Sequence, residues 1–387
     1  MRIAMMVSRI PWPLEKGDKL RAYHQLRHLS THHEVHLFCL SDIPPDTDGL
    51  EHLRTITPHI YVYKLSKLRM VFRMVFSLFS RMPWQVHYFF QKNISHQLKK
   101  DLLAINPDHV YCQLLRTSEY VKHIHHIPKT LDYMDALSAG YKRRLAGAHW
   151  WQRPLVAEEA RRLQIYENLI FEYFEHHTII SEQDRMLIFH PMRERIAVVA
   201  NGVDTQYFMP QAIHAPTYEL LFTGNMSYPP NVECACRLAL EVLPIVRKQY
   251  PHAKLLLCGT TPAREVRALA NDAVHVSGWV ADMRHAYHSA RVFAAPMSSG
   301  SGLQNKLLEA MSSGMPCVTT PLAASPVGAT HWNNMLVAEN NTEIAKHIIS
   351  LLDNKQLADE MGRQARNTVI QHFSWQQSIE KLEQVWA

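Results

Sequence analysis

Short apolar runs alternate along the chain with longer segments of helical periodicity, and this alternation occurs twice. In the first half, seven runs predict buried strands at 3–7, 34–40, 59–63, 109–113, 130–134, 178–181 and 196–200. In the second half, six runs predict strands at 219–223, 253–258, 273–277, 292–295, 316–320 and 335–338. Strands that are continuously apolar and separated by helices are typical of parallel sheets covered on both faces. The pattern therefore predicts an α/β protein with two doubly wound, Rossmann-like domains.

Chain length agrees with two domains, because 387 residues exceed the size at which a single core stops growing. The halves meet in a proline-flanked stretch without periodicity, between Pro210 and Thr217. We place the first domain at 1–209, the second at 210–370 and a terminal segment at 371–387. If two such sheets face each other, their carboxyl ends border a central cleft, where doubly wound sheets bind ligands.

Composition narrows the class of protein. An apolar content of 47% and a charged content of 20% are typical of a soluble globular protein. We expect neither a signal peptide nor a membrane span, since no charged start precedes an apolar region and no stretch approaches 18 apolar residues. The six cysteines are scattered without metal-ligand spacing, so we expect a reduced, cytoplasmic protein that binds neither a metal nor a cofactor.

Charge is uneven along the chain. Residues 1–200 have 27 Lys and Arg against 20 Asp and Glu, and residues 52–100 contain nine basic residues and no acidic one. Within that block, 64–81 form a basic, strongly amphipathic helical pattern. Such a helix either lies on an anionic membrane surface, making the protein peripheral on the inner membrane, or packs on the sheet with extended arginines. Nucleic acid is not expected as a partner, because the remaining surface is not basic and no binding motif is present.

The candidate chemistry concentrates in residues 298–316. An apolar strand leads into a Ser-Gly loop, and a helical segment follows that ends at Gly314. This order aims free backbone N–H groups and the positive end of a helix dipole at an anion. Lys306 lies in the first helical turn, and Glu309 shares its face. The pair suits the phosphates and sugar hydroxyls of a nucleotide-sugar, and the alternative is a solvated Lys–Glu pair after an ordinary βα loop.

Both halves open with a strand followed by a glycine-containing loop. Gly17 precedes the first helix, and Gly224 directly follows the first strand of the second half, where a side chain would collide with a bound ligand. The alternative for each glycine is a tight turn.

With these residues in place, the chain resembles the retaining glycosyltransferases of the GT-B fold, the group 1 or family 4 type. The resemblance rests on an ordered set of motifs: Asn201-Gly202-Val203-Asp204, Ser277-Gly278-Trp279-Val280-Ala281-Asp282, Glu309-Ala310-Met311 with Gly314-Met315-Pro316, and Phe373-Ser374-Trp375. A bacterial exopolysaccharide-associated branch is indicated by Arg9-Ile10-Pro11, Lys16-Gly17-Asp18-Lys19, Gly224 to Asn231 and Gln304-Asn305-Lys306.

The resemblance implies transfer of a sugar, with retention, from a nucleotide-sugar on the second domain to a glycan or lipid-linked acceptor on the first. UDP- or GDP-sugars are the expected donors, without a metal or cofactor, and segment 371–387 is expected to cross back to the first domain. The implied catalytic residues are Asp135, Lys306 and Glu309. The implied donor contacts are Gly17, Gly224, Asn225, Gly278, Trp279, Val280, Gly302, Leu303, Gln304, Asn305, Lys306 and Glu309.

Two departures from the family pattern keep other functions open. Ser301 stands where many members have the first carboxylate of Glu-x₇-Glu, and 224–231 lacks the cations that many members place there. Neutralisation of the diphosphate would then involve Lys306, with Arg284 or Lys19 as further candidates. The alternatives are a catalytically silent sugar-nucleotide-binding protein and a sugar-nucleotide epimerase of the same fold.

Overall fold

The computed structural model describes residues 1–14, 16–77, 80–211, 216–300 and 303–387. The chain forms two compact units, the first comprising 1–200 with 379–387 and the second comprising 201–378. The middle of the predicted linker, 212–215, lies outside the described residues. The domain boundaries expected at 209/210 and 370/371 stay predictions.

The first unit is a parallel sheet with helices between its strands. Its strands are β1 (Arg2–Val7), β2 (Glu34–Ser41), β3 (Ile60–Lys64), β4 (His109–Gln113), β5 (Lys129–Asp132), β6 (His176–Ile179) and β7 (Ala197–Val198). Its helices are α1 (Gly17–Leu29), α2 (Thr47–Arg54), α3 (Lys67–Phe76), α4 (Trp84–Phe89), α5 (Lys92–Ile105), α6 (Leu115–Val121), α7 (Leu137–Gly147), α8 (Arg153–Phe171) and α9 (Glu182–Leu187). The strand order is β3-β2-β1-β4-β5-β6-β7.

The second unit has the same plan. Its strands are β8 (Tyr218–Thr223), β9 (Leu255–Cys258), β10 (Val274–Gly278), β11 (Ala290–Ala295), β12 (Cys317–Thr319) and β13 (Leu336–Val337), in the order β10-β9-β8-β11-β12-β13. Its helices are α10 (Pro229–Arg237), α11 (Leu243–Val246), α12 (Arg264–Arg267), α13 (Met283–His288), α14 (Asn305–Ser312), α15 (Pro321–Ala324), α16 (Asn341–Asp353), α17 (Lys355–His372) and the start of α18 (Trp375–Trp386). A π-helical segment, Leu238–Val242, joins α10 to α11.

These elements confirm the predicted α/β fold class, and each predicted strand has a counterpart. The strands are apolar because both faces of each sheet are covered, so residues such as Met5, Leu37, Leu221 and Leu257 have no exposed surface. In both sheets the strand order reverses beside the first strand, between β1 and β4 and between β8 and β11. Crevices at such reversals, at the carboxyl ends of the strands, are where open α/β sheets bind ligands.

The end of the chain contributes to both units. In the second unit, the backbone N–H of Val203 donates to the carbonyl of Phe373 at 2.8 Å, and a β-carbon on Gly202 would lie 2.4 Å from the backbone N of Trp375. The Asn-Gly-Val-Asp motif therefore needs glycine because another backbone passes directly over it.

In the first unit, the later part of α18 packs on the sheet. Leu382 is fully buried there, and the indole of Trp386 donates to the hydroxyl of Thr130 at 2.7 Å. No helix within the described ranges is both long enough and apolar enough to span a bilayer.

Candidate functional site

The candidate donor site lies in the second unit, where α14 follows the loop after β11. Leu307, Leu308 and Met311 are fully buried against the sheet. Because side chains three residues apart share a helix face, Lys306 and Glu309 lie together on another side of α14. The structure thus has the helix, its buried face and the Lys–Glu pair where the sequence predicted them.

Lys306 is not a solvated surface lysine. Its Nζ donates to Oδ1 of Asn231 at 2.5 Å and lies 5.0 Å from the ring centre of Phe222. Burial lowers the pKa of Lys306 to about 8, although Glu309 opposes this shift. A buried ammonium held by a neutral amide is short of negative charge, and an anionic ligand would supply it.

Glu309 is held by a tyrosine that the sequence argument missed. The hydroxyl of Tyr287, a fully buried residue on α13, donates to Oε2 of Glu309 at 2.6 Å. The same hydroxyl lies 3.0 Å from that of Thr223 at the end of β8. Burial raises the pKa of Glu309 to about 7, while Tyr287 and Lys306 counteract the shift. Both charges of the pair are therefore poorly compensated near neutral pH.

Asn231 at the start of α10 organises the loop after β8. Besides accepting from Lys306, it donates through Nδ2 to the carbonyl of Asn225 at 2.9 Å. Gly224 has a φ of 154°, and a β-carbon there would lie 2.7 Å from Nδ2 of Asn231. Within this unit, the space beside Gly224 is therefore filled by Asn231, whereas the sequence argument had a ligand filling it.

The start of α14 places backbone N–H groups at the carboxyl edge of the sheet. Gln304 is the N-cap residue, and its side chain makes no capping hydrogen bond to the helix. Asn305, the first helical residue, accepts through Oδ1 from the side-chain amide of Asn201 at 3.2 Å, which brings the Asn-Gly-Val-Asp motif to this helix. Leu303 is partly buried against the core, and Gly302 lies outside the described residues.

Gly278 ends β10 and Trp279 and Val280 follow it, at the same carboxyl edge of the sheet. Gly278 has a φ of 68°, which only glycine adopts easily. Trp279 is 64% exposed, whereas Val280 packs against the core. The side chain of Asn225, nearer the start of the unit, is occupied in a turn, since its Oδ1 accepts from the N–H and the hydroxyl of Ser227.

The further cations suggested for the diphosphate are already engaged in the structure. Arg284 forms a 2.6 Å ion pair with Asp282, and its guanidinium lies 4.3 Å from the ring centre of Tyr207. Lys19, in the first unit, donates to the carbonyl of Trp12 at 3.2 Å. Lys306 therefore remains the strongest candidate among the three.

The first unit contributes Gly17 and Asp135 to the predicted set. Gly17 begins α1, and a β-carbon built there meets nothing within 4 Å. Asp135 follows β5 at the carboxyl edge of the sheet and is partly buried. Burial raises the pKa of Asp135 to about 7, and the charges of Asp184 and Asp132 add to the shift. Asp135 can therefore take up or release a proton near neutral pH.

Asp132, the neighbouring carboxylate, has a structural role. It is fully buried, pairs with the equally buried Arg21 at 2.6 Å and accepts from the hydroxyl of Tyr111 at 2.7 Å. The hydroxyl of Thr178 donates to its other oxygen at 3.0 Å. These contacts satisfy Asp132 within the unit, so Asp135 is the better candidate for contact with a substrate.

Among the described residues, one group brings three potential metal ligands together. Nitrogen or oxygen atoms of Glu34, His36 and His59 lie within 4.8 Å of one another. The group is at the amino ends of β2 and β3, opposite the sheet edge that carries Asp135. Glu34 is also paired with Arg2 at 3.2 Å, and this cation partly compensates its charge.

The second unit, which holds the candidate donor site, resembles a known protein family. Residues 217–354, most of the second unit, match the family model of the glycosyl transferases group 1. An uncharacterised 44.6 kDa protein in cps region of Klebsiella pneumoniae is 24% identical, with 91% of each chain covered. The N-acetyl-alpha-D-glucosaminyl L-malate synthase of Bacillus anthracis is 30% identical over 21% of this chain and 22% of its own.

Solved structures share the complete two-unit fold. Sucrose-phosphate synthase of Thermosynechococcus elongatus matches with a TM-score of 0.73 and 16% identity over 100% of this chain and 98% of its own. Anabaena HepE in complex with UDP-glucose matches with a TM-score of 0.69 and 13% identity over 100% and 99%. At such identities the likeness concerns the fold. Together the comparisons show a likeness of the second unit to the glycosyl transferases group 1 and, for the whole chain, the two-domain α/β fold that the sequence predicted.

Proposed function

We propose that this chain transfers a sugar, with retention of anomeric configuration, from a nucleotide-sugar to a glycan or lipid-linked acceptor. The observation that carries the proposal is the Lys306–Glu309 pair at the start of α14. Both groups are buried enough that burial shifts their pKa values toward the neutral form. A ligand with an anion and neighbouring hydroxyl groups would compensate both charges at once.

Each part of a nucleotide-sugar has a candidate contact. The diphosphate would accept hydrogen bonds from Lys306 and from the backbone N–H groups at the start of α14. Leu303 and Gln304 would lie beside it. Glu309, oriented by Tyr287, would accept from the ribose hydroxyls. The backbone at Gly278 and Val280 would contact the base. A UDP-sugar is favoured as donor because HepE, which has this fold, was solved with UDP-glucose.

In the first unit, Gly17 and Asp135 are the candidate contacts for the diphosphate and the transferred sugar. The open space beside Gly17 allows close approach of a ligand to the backbone of α1. Asp135 would stabilise positive charge that develops on the sugar ring when it is ionised. The departing phosphate would take the proton of the acceptor, so the protein would contribute mainly positioning and electrostatic stabilisation. This scheme needs no metal and no cofactor.

The biological setting that we propose is bacterial polysaccharide synthesis. The relative from Klebsiella pneumoniae carries the name of a protein in the cps region and matches over 91% of this chain. HepE and sucrose-phosphate synthase have different names but share the fold. The fold alone therefore does not identify the acceptor.

A catalytically silent sugar-nucleotide-binding protein is the second candidate. It is favoured by Ser301, which replaces a frequent family carboxylate, and by the lack of Lys or Arg in 224–231. In the structure, Lys306 is the cation near that loop, and Asn231 occupies it. The two functions share donor binding and differ in turnover.

The test is a two-stage assay. A panel of UDP-, GDP- and ADP-sugars is screened by thermal shift, where a donor at 100 times its Kd adds about 2.7 kcal/mol of stability. The best donor is then followed by NMR without acceptor. Slow hydrolysis that first releases the sugar with the donor's anomeric configuration supports a retaining transferase. Binding without hydrolysis or transfer supports the silent protein, and 2-epimerised nucleotide-sugar would identify an epimerase.

A further inference from the structure

Helix α3 and its C-cap residue contact the protein through Met70, Arg73 and Ser77. The sequence has Ser66, Arg69, Arg73, Ser77 and Ser80 along one side of the helical pattern 64–81. In the structure, Met70 and Ser77 are buried, and Arg73 lies half-buried over the ring of Phe90 at 5.0 Å. The Nε of Arg73 also donates to the carbonyl of His87 at 3.2 Å. The helix is therefore held to the protein mainly by polar contacts.

The opposite side of α3 presents large apolar side chains to the outside. Leu68, Val71, Phe72, Val75 and Phe76 are between 56% and 69% exposed. This arrangement reverses that of a helix packed on a sheet, which buries its apolar side. Of the apolar residues of α3, Met70 is the one that packs in the core, and most of the others are exposed. A contiguous exposed surface of this kind marks a binding surface.

One flank of α3 is also open. A groove of about 650 Å³ runs beside the helix and is lined by residues that include Ile43, Met70, Val71, Val75 and Tyr88. Val71 and Val75 of α3 border this groove and stay exposed along this flank.

A second exposed apolar group lies at the start of α8. Trp150 is 82% exposed, Trp151 56% and Leu155 49%. They precede Glu159, which accepts from the backbone N–H of Trp84 at 2.8 Å. Tryptophan is enriched at the boundary between water and hydrocarbon, because its ring is apolar and its N–H is polar.

Contacts in the first unit connect α8 to the end of α3. Nη1 of Arg162 donates to the carbonyl of Ser77 at 2.6 Å, and its guanidinium lies 5.3 Å from the ring centre of Trp84. Leu155 lies seven residues before Arg162, which is two helical turns on the same face. The exposed groups of α3 and α8 therefore belong to one region of the unit, which we call the α3–α8 surface.

Basic residues predominate on and around α3. Lys64, Lys67, Arg69 and Arg81 are exposed, and residues 52–100 contain no Asp or Glu. The one carboxylate that lines the groove is Asp42, which accepts from the hydroxyl of Tyr88 at 3.2 Å. An apolar surface with such an excess of cations is complementary to the headgroups and acyl chains of an anionic bilayer.

We infer that the α3–α8 surface docks this unit on an anionic membrane, with the apolar side chains entering the interface and the cations contacting the headgroups. The inference does not depend on the proposed transfer reaction. If that reaction is also correct, the acceptor is a lipid-linked sugar, because docking would hold the first unit at the bilayer where such acceptors reside.

The experiment is sedimentation of the full chain with vesicles of phosphatidylcholine alone or with one-third phosphatidylglycerol. We expect binding to the anionic vesicles at low salt and at least tenfold weaker binding at high salt. The reason is that the Debye screening length shortens as ionic strength rises, which weakens the attraction between exposed charges. The double substitution Lys67→Gln and Arg69→Gln should weaken binding roughly thirtyfold, because each cation near an anionic surface contributes about fivefold. Trp150→Ala with Trp151→Ala should weaken binding at both salt concentrations.

The matched control is Lys92→Gln with Lys100→Gln, which removes the same charge from exposed positions on α5. This control should bind vesicles nearly as the unchanged chain does. Absence of binding to anionic vesicles at low salt would overturn the inference, as would equal weakening by the control and the α3 variant. A dimer in solution that Phe72→Ser converts to monomer would also overturn it, because a second copy would then cover the surface. Donor binding, measured separately, should be unchanged in all variants.

Discussion

Helices α3 and α14 have similar sequence patterns and opposite environments. Each is short, rich in Leu, Met or Phe, and carries a lysine in its first turn, Lys67 in α3 and Lys306 in α14. In α14 the apolar residues are buried and the lysine is enclosed. In α3 the lysine and all apolar residues except Met70 are exposed.

The difference shows what amphipathic periodicity determines. Periodicity specifies that one side of a helix is apolar, but what covers that side depends on the elements that the chain brings next to it. α14 follows β11 in a βα unit, so the crossover to β12 lays it on the sheet. α3 follows the edge strand β3, and the region beside it stays open.

The largest effect that tests the comparison concerns core packing. Leu308→Ala should destabilise the second unit by about 2–5 kcal/mol, because it opens a cavity beneath α14. Leu68→Ala on the outer side of α3 should change stability by no more than about 0.5 kcal/mol. Urea unfolding of both variants measures the difference. A cost above about 2 kcal/mol for Leu68→Ala would mean that the outer side of α3 is covered in solution.

The second test compares the two first-turn lysines. Lys306→Ala should weaken donor binding by about 1.5–3 kcal/mol, because it removes a charge-assisted contact to the diphosphate. Lys67→Ala, which removes an equal charge from an exposed position, should leave donor affinity unchanged. Calorimetric titration with the donor found by thermal shift gives both values. Equal affinities in the two variants would refute the assignment of Lys306 to the donor site.

Much of the fold followed from local pattern. Runs such as 220–222 and 292–295 are apolar throughout because both sheet faces are covered, so the strands could be located without knowing their partners. The pairing of Lys306 with Glu309 was likewise predictable, since helical spacing places residues three apart on one face. These inferences use only neighbours in the sequence.

The contacts that hold the site could not be predicted, because they join distant parts of the chain. Tyr287 lies 22 residues before Glu309, and Asn231 lies 75 before Lys306. A tyrosine among apolar helical residues has the same local pattern whether it supports a carboxylate or fills the core. The contact between Gly224 and Asn231 could not be predicted either, since Asn231 comes close only when the loop folds, and donor binding at Gly224 stays a prediction.

The third test uses the pKa values of the enclosed pair. In the free protein, the raised pKa of Glu309 makes stability fall as pH rises from about 4.5 to about 7, and the lowered pKa of Lys306 makes it rise again from about 8 to about 10.5. Between these limits both groups are charged and poorly compensated. Donor affinity should therefore be highest near pH 7–8 and fall up to tenfold per pH unit on either side.

Thermal shift by the donor from pH 5.5 to 9.5 measures this profile. Glu309→Gln should remove the decline at low pH, because the amide does not titrate. Lys306→Arg should remove the decline at high pH, because a guanidinium stays charged throughout. Donor affinity that is flat across this range in the unchanged protein would contradict the role of the pair.

The smallest expected effect tests the hydrogen bond that Tyr287 donates to Glu309. Tyr287→Phe keeps the buried ring but removes the hydroxyl that donates to Oε2 of Glu309 at 2.6 Å. Because that hydrogen bond favours the carboxylate, the pKa of Glu309 should rise, and the low-pH decline in donor affinity should move to higher pH. Near pH 7 the loss of donor-binding free energy should be about 0.5–1.5 kcal/mol, the usual net value of one hydrogen bond.

Tyr250→Phe is the matched control, because Tyr250 donates to Asp353 at the end of α16, outside the candidate site. If both variants lower donor affinity equally at every pH, Tyr287 contributes to packing alone and does not tune Glu309.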